Sequence, residues 1–214
     1  MRNNESEFNL LGIDRKVQNE KVQEFKDSIN DEKNSIDMII DKYLLCGTPY
    51  IFKDDENKFY DLKNEIANFI NVSQTNIFVV GSAKLGFSIA PSKRYEHFNE
   101  DSDIDIAIID EATFLRYWKI LYEYNTIGRA WSCFEEKEYR KFLEYFFKGW
   151  LRPDKFPSAM DEKKEWFDFF SSLQKKYNHK IAAGIYYDIH VFRGYNRGNI
   201  KRIREVMKNG KKNS

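Results

Sequence analysis

Cysteine is scarce in this chain, charge of either sign is not in excess, and no long apolar run occurs. Each shortage excludes something. The 214 residues hold 2 cysteines. Cys46 and Cys133 lie too far apart for a Cys-x-x-Cys metal or redox pair, and two thiols build no disulfide framework. A reducing cytoplasm fits them best. Lys+Arg number 35 against 34 Asp+Glu, a net charge of +1, so the chain as a whole offers no field for nucleic acid or a membrane surface. No stretch approaches the ~20 apolar residues needed to cross a bilayer. The polar segment from Met1 to Leu11 has no apolar signal-peptide core. Internal repeats and low-complexity tracts are also missing.

What the chain does have is core material. Hydrophobic residues make up 42% and aromatics 16% of it, enough to bury a real interior. Residues 1–10 are expected to fray. From Ile13 the apolar positions Val17, Val22, Phe25 and Ile29 recur at helical spacing. Asn34 or Ser35 caps a second helix that Gly47 and Pro49 stop. A third carries Phe59, Leu62, Ile66, Phe69 and Ile70 on one stripe. Residues 1–72 therefore read as helices packed on a core formed by 73–214, the two making one unit.

The pattern changes at Asn76. Ile77-Phe78-Val79-Val80, closed by Gly81, reads as a buried strand. Ser82 to Ile89 suits a short helix and Pro91 to Glu100 a polar loop. Ile104 to Ile109 reads as a second strand, with Asp110 capping the helix after it. Helices follow through Tyr124 and, after Gly128, through Trp150. Ser158 with Asp161 resembles a capping box opening a helix that carries Trp166 and Phe170. Residues 180–187 read as a third strand. The fold class expected is α/β of the α+β kind, a small mixed sheet flanked by many helices.

The chemistry concentrates between Ile77 and Asp110. Strand periodicity places Asp103 and Asp105 on one face and Ile104, Ile106 and Ile108 on the other. Two carboxylates on one face repel unless a cation or donor stands between them. Mg²⁺ takes oxygen ligands and keeps positions for phosphate oxygens. Gly81 lets backbone approach a ligand closely. Ser82 adds a hydroxyl, and the following amides suit a phosphate. Lys84 lies within the same turn, either meeting a phosphate or solvated.

Strand, Gly-Ser, short helix and then Asp-x-Asp in a hydrophobic strand resembles the signature of the DNA polymerase β-like nucleotidyltransferase superfamily. The resemblance covers about residues 76–110. It implies that Gly81 and Ser82 hold a nucleoside triphosphate, with Lys84 beside it, and that Asp103 and Asp105 hold Mg²⁺ or Mn²⁺. The sequence departs from the family pattern in a long polar insertion before Asp103, which carries Lys93 and Arg94. The family's third carboxylate is matched loosely, by Asp188 at the end of the third strand, with His190 two positions on. The reaction implied is transfer of a nucleoside monophosphate to a hydroxyl. The acceptor is left open among RNA, protein, a small molecule and a second nucleotide, in a toxin–antitoxin or antiphage setting. The alternative is a nucleotide-binding regulatory module with little catalysis.

Other features have two readings each. The aromatic blocks at Tyr145–Trp150 and Trp166–Phe170 suit buried helix faces better than base stacking. The basic tail, which includes Arg193, Arg197, Arg204 and Lys208, suits a nucleic-acid acceptor or a solvated helix face equally. Arg152 and Lys155 flank Pro153 in a loop, where functional groups often reside.

Overall fold

The computed structural model describes residues 4–126 and 133–212. Two strands, Ile77–Val80 (β1) and Ile104–Ile109 (β2), pair antiparallel with Val80 opposite Asp105. The short strand Trp150–Leu151 (β3) forms the far edge. Between it and β2 lies Ile181–Tyr186 (β4), parallel to β2 and antiparallel to β3. The sheet order is therefore β1-β2-β4-β3. Three of these strands stand within a residue of where the β-branched runs place them. The break expected at Gly128 lies outside the described residues.

Helices cover both faces. Asn4–Asn30 (α1) starts well before Ile13, and Ile36–Ile40 (α2) passes into a π-helical turn at Asp41–Leu45. Glu56–Ile70 (α3) precedes β1, and Gly81–Leu85 (α4) is the single turn after it. Glu111–Thr126 (α5), Cys133–Phe147 (α6), Asp161–Tyr177 (α7) and Ile189–Lys212 (α8) follow. Local chemistry sets several starts. Ser35 Oγ accepts from Met38 N at 3.1 Å, and Asp110 Oδ2 accepts from Thr113 N at 2.8 Å. Each such cap is worth about 1 kcal/mol. The Ser158–Asp161 box does not form. Helix α7 begins at Asp161 without a side-chain cap, and Ser158 Oγ donates to Glu135 instead.

The alternation of the strands divides the core in two. Ile77, Val79, Ile104, Ile106, Ile108 and Ile185 pack with Leu62 and Ile66 of α3, Phe114 of α5 and Trp166 of α7. Ala107 and Tyr186 face Phe25 and Ile29 of α1, Ile39 and Ile40 of α2, and Phe192, Ile200 and Ile203 of α8. The N-terminal helices thus part company: α1 and α2 join α8, whereas α3 crosses to the face of α7. Helix α8 is pinned by two forked ion pairs, Arg193 on Asp41 and Arg197 on Asp37. Arg204 donates to the carbonyls of Ile29 and Asn34, and Lys208 pairs with Glu32. Much of the basic tail is therefore spent on the fold itself. No helix among the described residues is long and apolar enough to cross a membrane.

Candidate active site

Strand β1 ends because Gly81 turns the chain at φ +65°, a conformation that costs a side-chain-bearing residue about 1–2 kcal/mol. Space demands glycine there as well. A Cβ at Gly81 would lie 2.7 Å from Asp105 Oδ2. The Gly81–Ser82 turn therefore begins beside the Asp105 carboxylate, with no room for a side chain between them. Ser82 follows, half-buried, and its carbonyl accepts from Gly86 N at 2.8 Å to close the single turn of α4.

Asp103 and Asp105 share the sheet face of Ala107, the side covered by α8. Burial pushes the Asp105 carboxyl up to about 6, and the negative charge of Asp103 adds to that rise. Arg152 and Lys180 act in the opposite direction. Lys180 Nζ pairs with Asp103 Oδ2 at 2.9 Å in an exposed contact of the kind that contributes little to stability. Arg152, just past β3, forks onto Asp154 at 3.0 and 2.9 Å. Burial opposes its charge, but Asp154 and then Asp105 and Asp103 hold its pKa above the usual value. Two acids, one of them poorly solvated, thus lie among a glycine turn, a lysine and an arginine.

The structure brings Gly81, Asp103 and Asp105 together and sends two other expected residues elsewhere. Lys84 Nζ is buried and donates to the carbonyls of Cys46 and Gly47. Burial drives its pKa down to about 8. It ties α4 to the end of the π-helical turn and does not point at the acids. Asp188 Oδ1 accepts from Val191 N at 2.7 Å and caps α8. The residue beside Asp105 on β4 is Ala182. Asp188 lies beyond the opposite end of that strand, about 20 Å away at ~3.3 Å per residue. On the face of Asp105, β4 carries Ala182 and Gly184 and no acid. Among the described residues, no three His, Cys, Asp or Glu side chains gather as a metal site.

The remaining candidates sort out physically. His190 is exposed. The insertion folds back on itself through Ser88, Glu96 and Tyr95, and Phe98 N donates to Gly86 O at 2.9 Å. Lys26 of α1 sits over the Tyr95 ring at 4.3 Å. Trp166 and Phe170 are core, as their spacing implies. The other aromatic block divides: Tyr145 is half-exposed, and its ring meets Trp150 edge-on at 5.0 Å. Trp150 belongs to the aromatic block already marked in the sequence, whereas Tyr195, whose hydroxyl feels the charge of Asp105, is marked by no local pattern. Comparison with family models, curated proteins and solved structures gives no match to this chain.

Proposed function

We propose that the chain is a polymerase β-like nucleotidyltransferase. It takes a nucleoside triphosphate, moves the nucleoside monophosphate to a hydroxyl acceptor and releases pyrophosphate. The observation that carries this reading is the close approach of Gly81 to the Asp105 carboxylate, which leaves no room for a Cβ, with Asp103 on the same face. A phosphate-binding turn and a carboxylate pair are useful together only if one ligand needs both, and a triphosphate–cation complex does.

The residues fit a divalent cation. Mg²⁺ is usually held by one or two carboxylates plus substrate phosphates, so Asp103 and Asp105 suffice as the protein's share. Burial and mutual repulsion make Asp105 costly to ionise, and a cation would relieve both. When bound, Mg²⁺ or Mn²⁺ would neutralise the triphosphate and acidify the attacking hydroxyl. Gly81 and Ser82 hold the β- and γ-phosphates through backbone amides and the Ser82 hydroxyl. Arg152 faces the same acids and balances charge on the reacting phosphate. The toxin–antitoxin or antiphage setting in a reducing cytoplasm remains part of this proposal by resemblance alone.

A second reading has its own observation. With Ala182 and Gly184 beside Asp105 and Ala107 on the neighbouring strand, and Asp188 at its far end, the chain would be a nucleotide-binding regulatory module with little turnover. Labelled triphosphates incubated with Mg²⁺ or Mn²⁺ and candidate acceptors separate the two. The transferase releases pyrophosphate, and Asp103→Ala or Asp105→Ala lowers the rate on the order of 10³-fold. Binding without release supports the module. If calorimetry detects no Mg²⁺-dependent triphosphate binding, both readings fall.

A further inference from the structure

On the β3 side of the acid pair lies a cavity of about 540 Å³, a typical small-ligand volume. Neither Asp103 nor Asp105 lines it, but Arg152 and Tyr195 do. Both sense the acids. Arg152 is held charged in part by Asp105 and Asp103. The Tyr195 hydroxyl is pushed up by burial, then by Tyr145 and Asp105. On the sheet, β4 alone separates β3, which Arg152 follows, from the strand of Asp105.

The walls are of two kinds. Tyr145, Trp150 and Tyr195 meet there, with the outer rings 5.0 and 5.1 Å from the Trp150 ring. Tyr145 is 43% and Tyr195 47% exposed, so both keep ring surface available to a ligand. The charged lining is Lys141, Arg152, Lys155 and Lys163 against Glu135 and Asp154, a basic balance. Aromatic faces beside cations suit a planar base that carries a phosphate. Arg152 and Lys155 pair with Asp154, and Lys163 donates to the Phe156 carbonyl, yet four cations against two acids leave this wall net positive, which suits an anionic ligand.

Sheet order gives the cavity a role. The Gly81–Ser82 turn closes β1, on one side of the strand that carries Asp105. Arg152 follows β3, two strands away on the other side, about 10 Å at ~4.8 Å per strand. In phosphoryl transfer the attacking and leaving oxygens stand roughly in line across the phosphorus. If pyrophosphate leaves toward Gly81 and Ser82, the acceptor hydroxyl enters from the β4–β3 side.

We infer that this cavity seats a nucleotide bearing the acceptor hydroxyl, its base against Tyr145 and Tyr195 and its phosphate on Arg152 and Lys155. The inference rests on the transferase reading above. The acceptor oxygen forms a bond to the α-phosphorus while the bond from that phosphorus to the bridging oxygen of pyrophosphate breaks. Pyrophosphate keeps the electron pair, and the hydroxyl proton passes to water. The acceptor nucleotide is either free or the end of a single strand.

Binding to the full chain is measured in EDTA without triphosphate. Calorimetry serves for a nucleoside monophosphate and fluorescence anisotropy for a labelled single-stranded hexanucleotide. Binding of the monophosphate identifies a free acceptor, and binding of the hexanucleotide alone identifies a strand end. Tyr195→Ala weakens whichever binds about tenfold, the loss expected of one base–aromatic stack, and Tyr195→Phe restores it. Lys155→Glu, on an exposed side chain, weakens it similarly and guards against a packing defect at Tyr195. If neither probe binds, if binding ignores both substitutions, or if label from the triphosphate appears on protein, the inference is overturned. Mg²⁺-dependent triphosphate binding by the wild-type chain is measured alongside. Its loss overturns the transferase reading and the acceptor role with it. Its survival while both probes fail overturns the acceptor inference alone.

Discussion

The two ends of the central strands use aspartate in opposite ways. At the end where β2 and β4 run out, Asp110 accepts from Thr113 N and from Asn76 Nδ2, and Asp188 accepts from Val191 N. Those carboxylates close helix ends, and their charge is answered by nearby donors. At the other end, Asp105 lies beside Gly81 with no room for a side chain between them, and its carboxyl is pushed up to about 6 by burial and by the charge of Asp103. The first pair helps the fold. In the second, burial makes Asp105 costly to charge, and a poorly solvated acid of this kind is a candidate functional group.

The comparison breaks most readily at Gly81. Gly81→Ala places a methyl 2.7 Å from Asp105 Oδ2, in a backbone conformation alanine resists. Denaturant unfolding should show a loss of about 2 kcal/mol, and calorimetry a near-complete loss of Mg²⁺-dependent triphosphate binding. Asp105→Asn tests the cost of charging this acid. The wild-type carboxyl is raised when folded, so the unfolded chain releases its proton first. Wild-type stability therefore falls as pH rises from about 4, the ordinary value, to about 6. The neutral amide escapes that loss. The variant should gain on the order of 2 kcal/mol over wild type above pH 7, and the gain should vanish below pH 4. Equal stability of the two proteins at every pH would remove the contrast between the two ends. The smallest effect belongs to Asp188→Ala. Loss of one cap costs about 1 kcal/mol in thermal or denaturant unfolding, and Mg²⁺-dependent triphosphate binding persists. Loss of that binding in a folded variant would place Asp188 back with the acids.

Much of this was legible in the residues. The β-branched run at Ile77 and the alternation through Ile104–Ile109 locate the strands and put both acids on one face. Ser35 and Asp110 act as the caps their side chains suggest. The failures share a cause, which is distance along the chain. Lys84 reads as a phosphate ligand until the carbonyls of Cys46 and Gly47 arrive from another segment. Asp188 ends a strand, but only the β2–β4 register shows that it is the wrong end. Arg193 and Arg197 read as free basic residues until Asp41 and Asp37 meet them. Strand β3 has two residues, too few for any periodicity to show. Arg152 stands out in a loop, yet nothing local says which acids it faces.

The parallel pairing of β2 with β4 also sets the order in which the sheet can be completed. Strand β2 is finished at Ile109, but β4 begins only at Ile181, and the layer over the acid-bearing face needs Phe192, Ile200 and Ile203. During synthesis the antiparallel pair of β1 and β2 can register early, whereas the second neighbour of β2 must close a long loop first. Before α8 is made, only α1 and α2 are present to cover the face of Asp103 and Asp105, and the apolar surface that Phe192, Ile200 and Ile203 later cover stays exposed. Completion of the layer over the two acids therefore waits on both β4 and α8, the two elements made longest after β2.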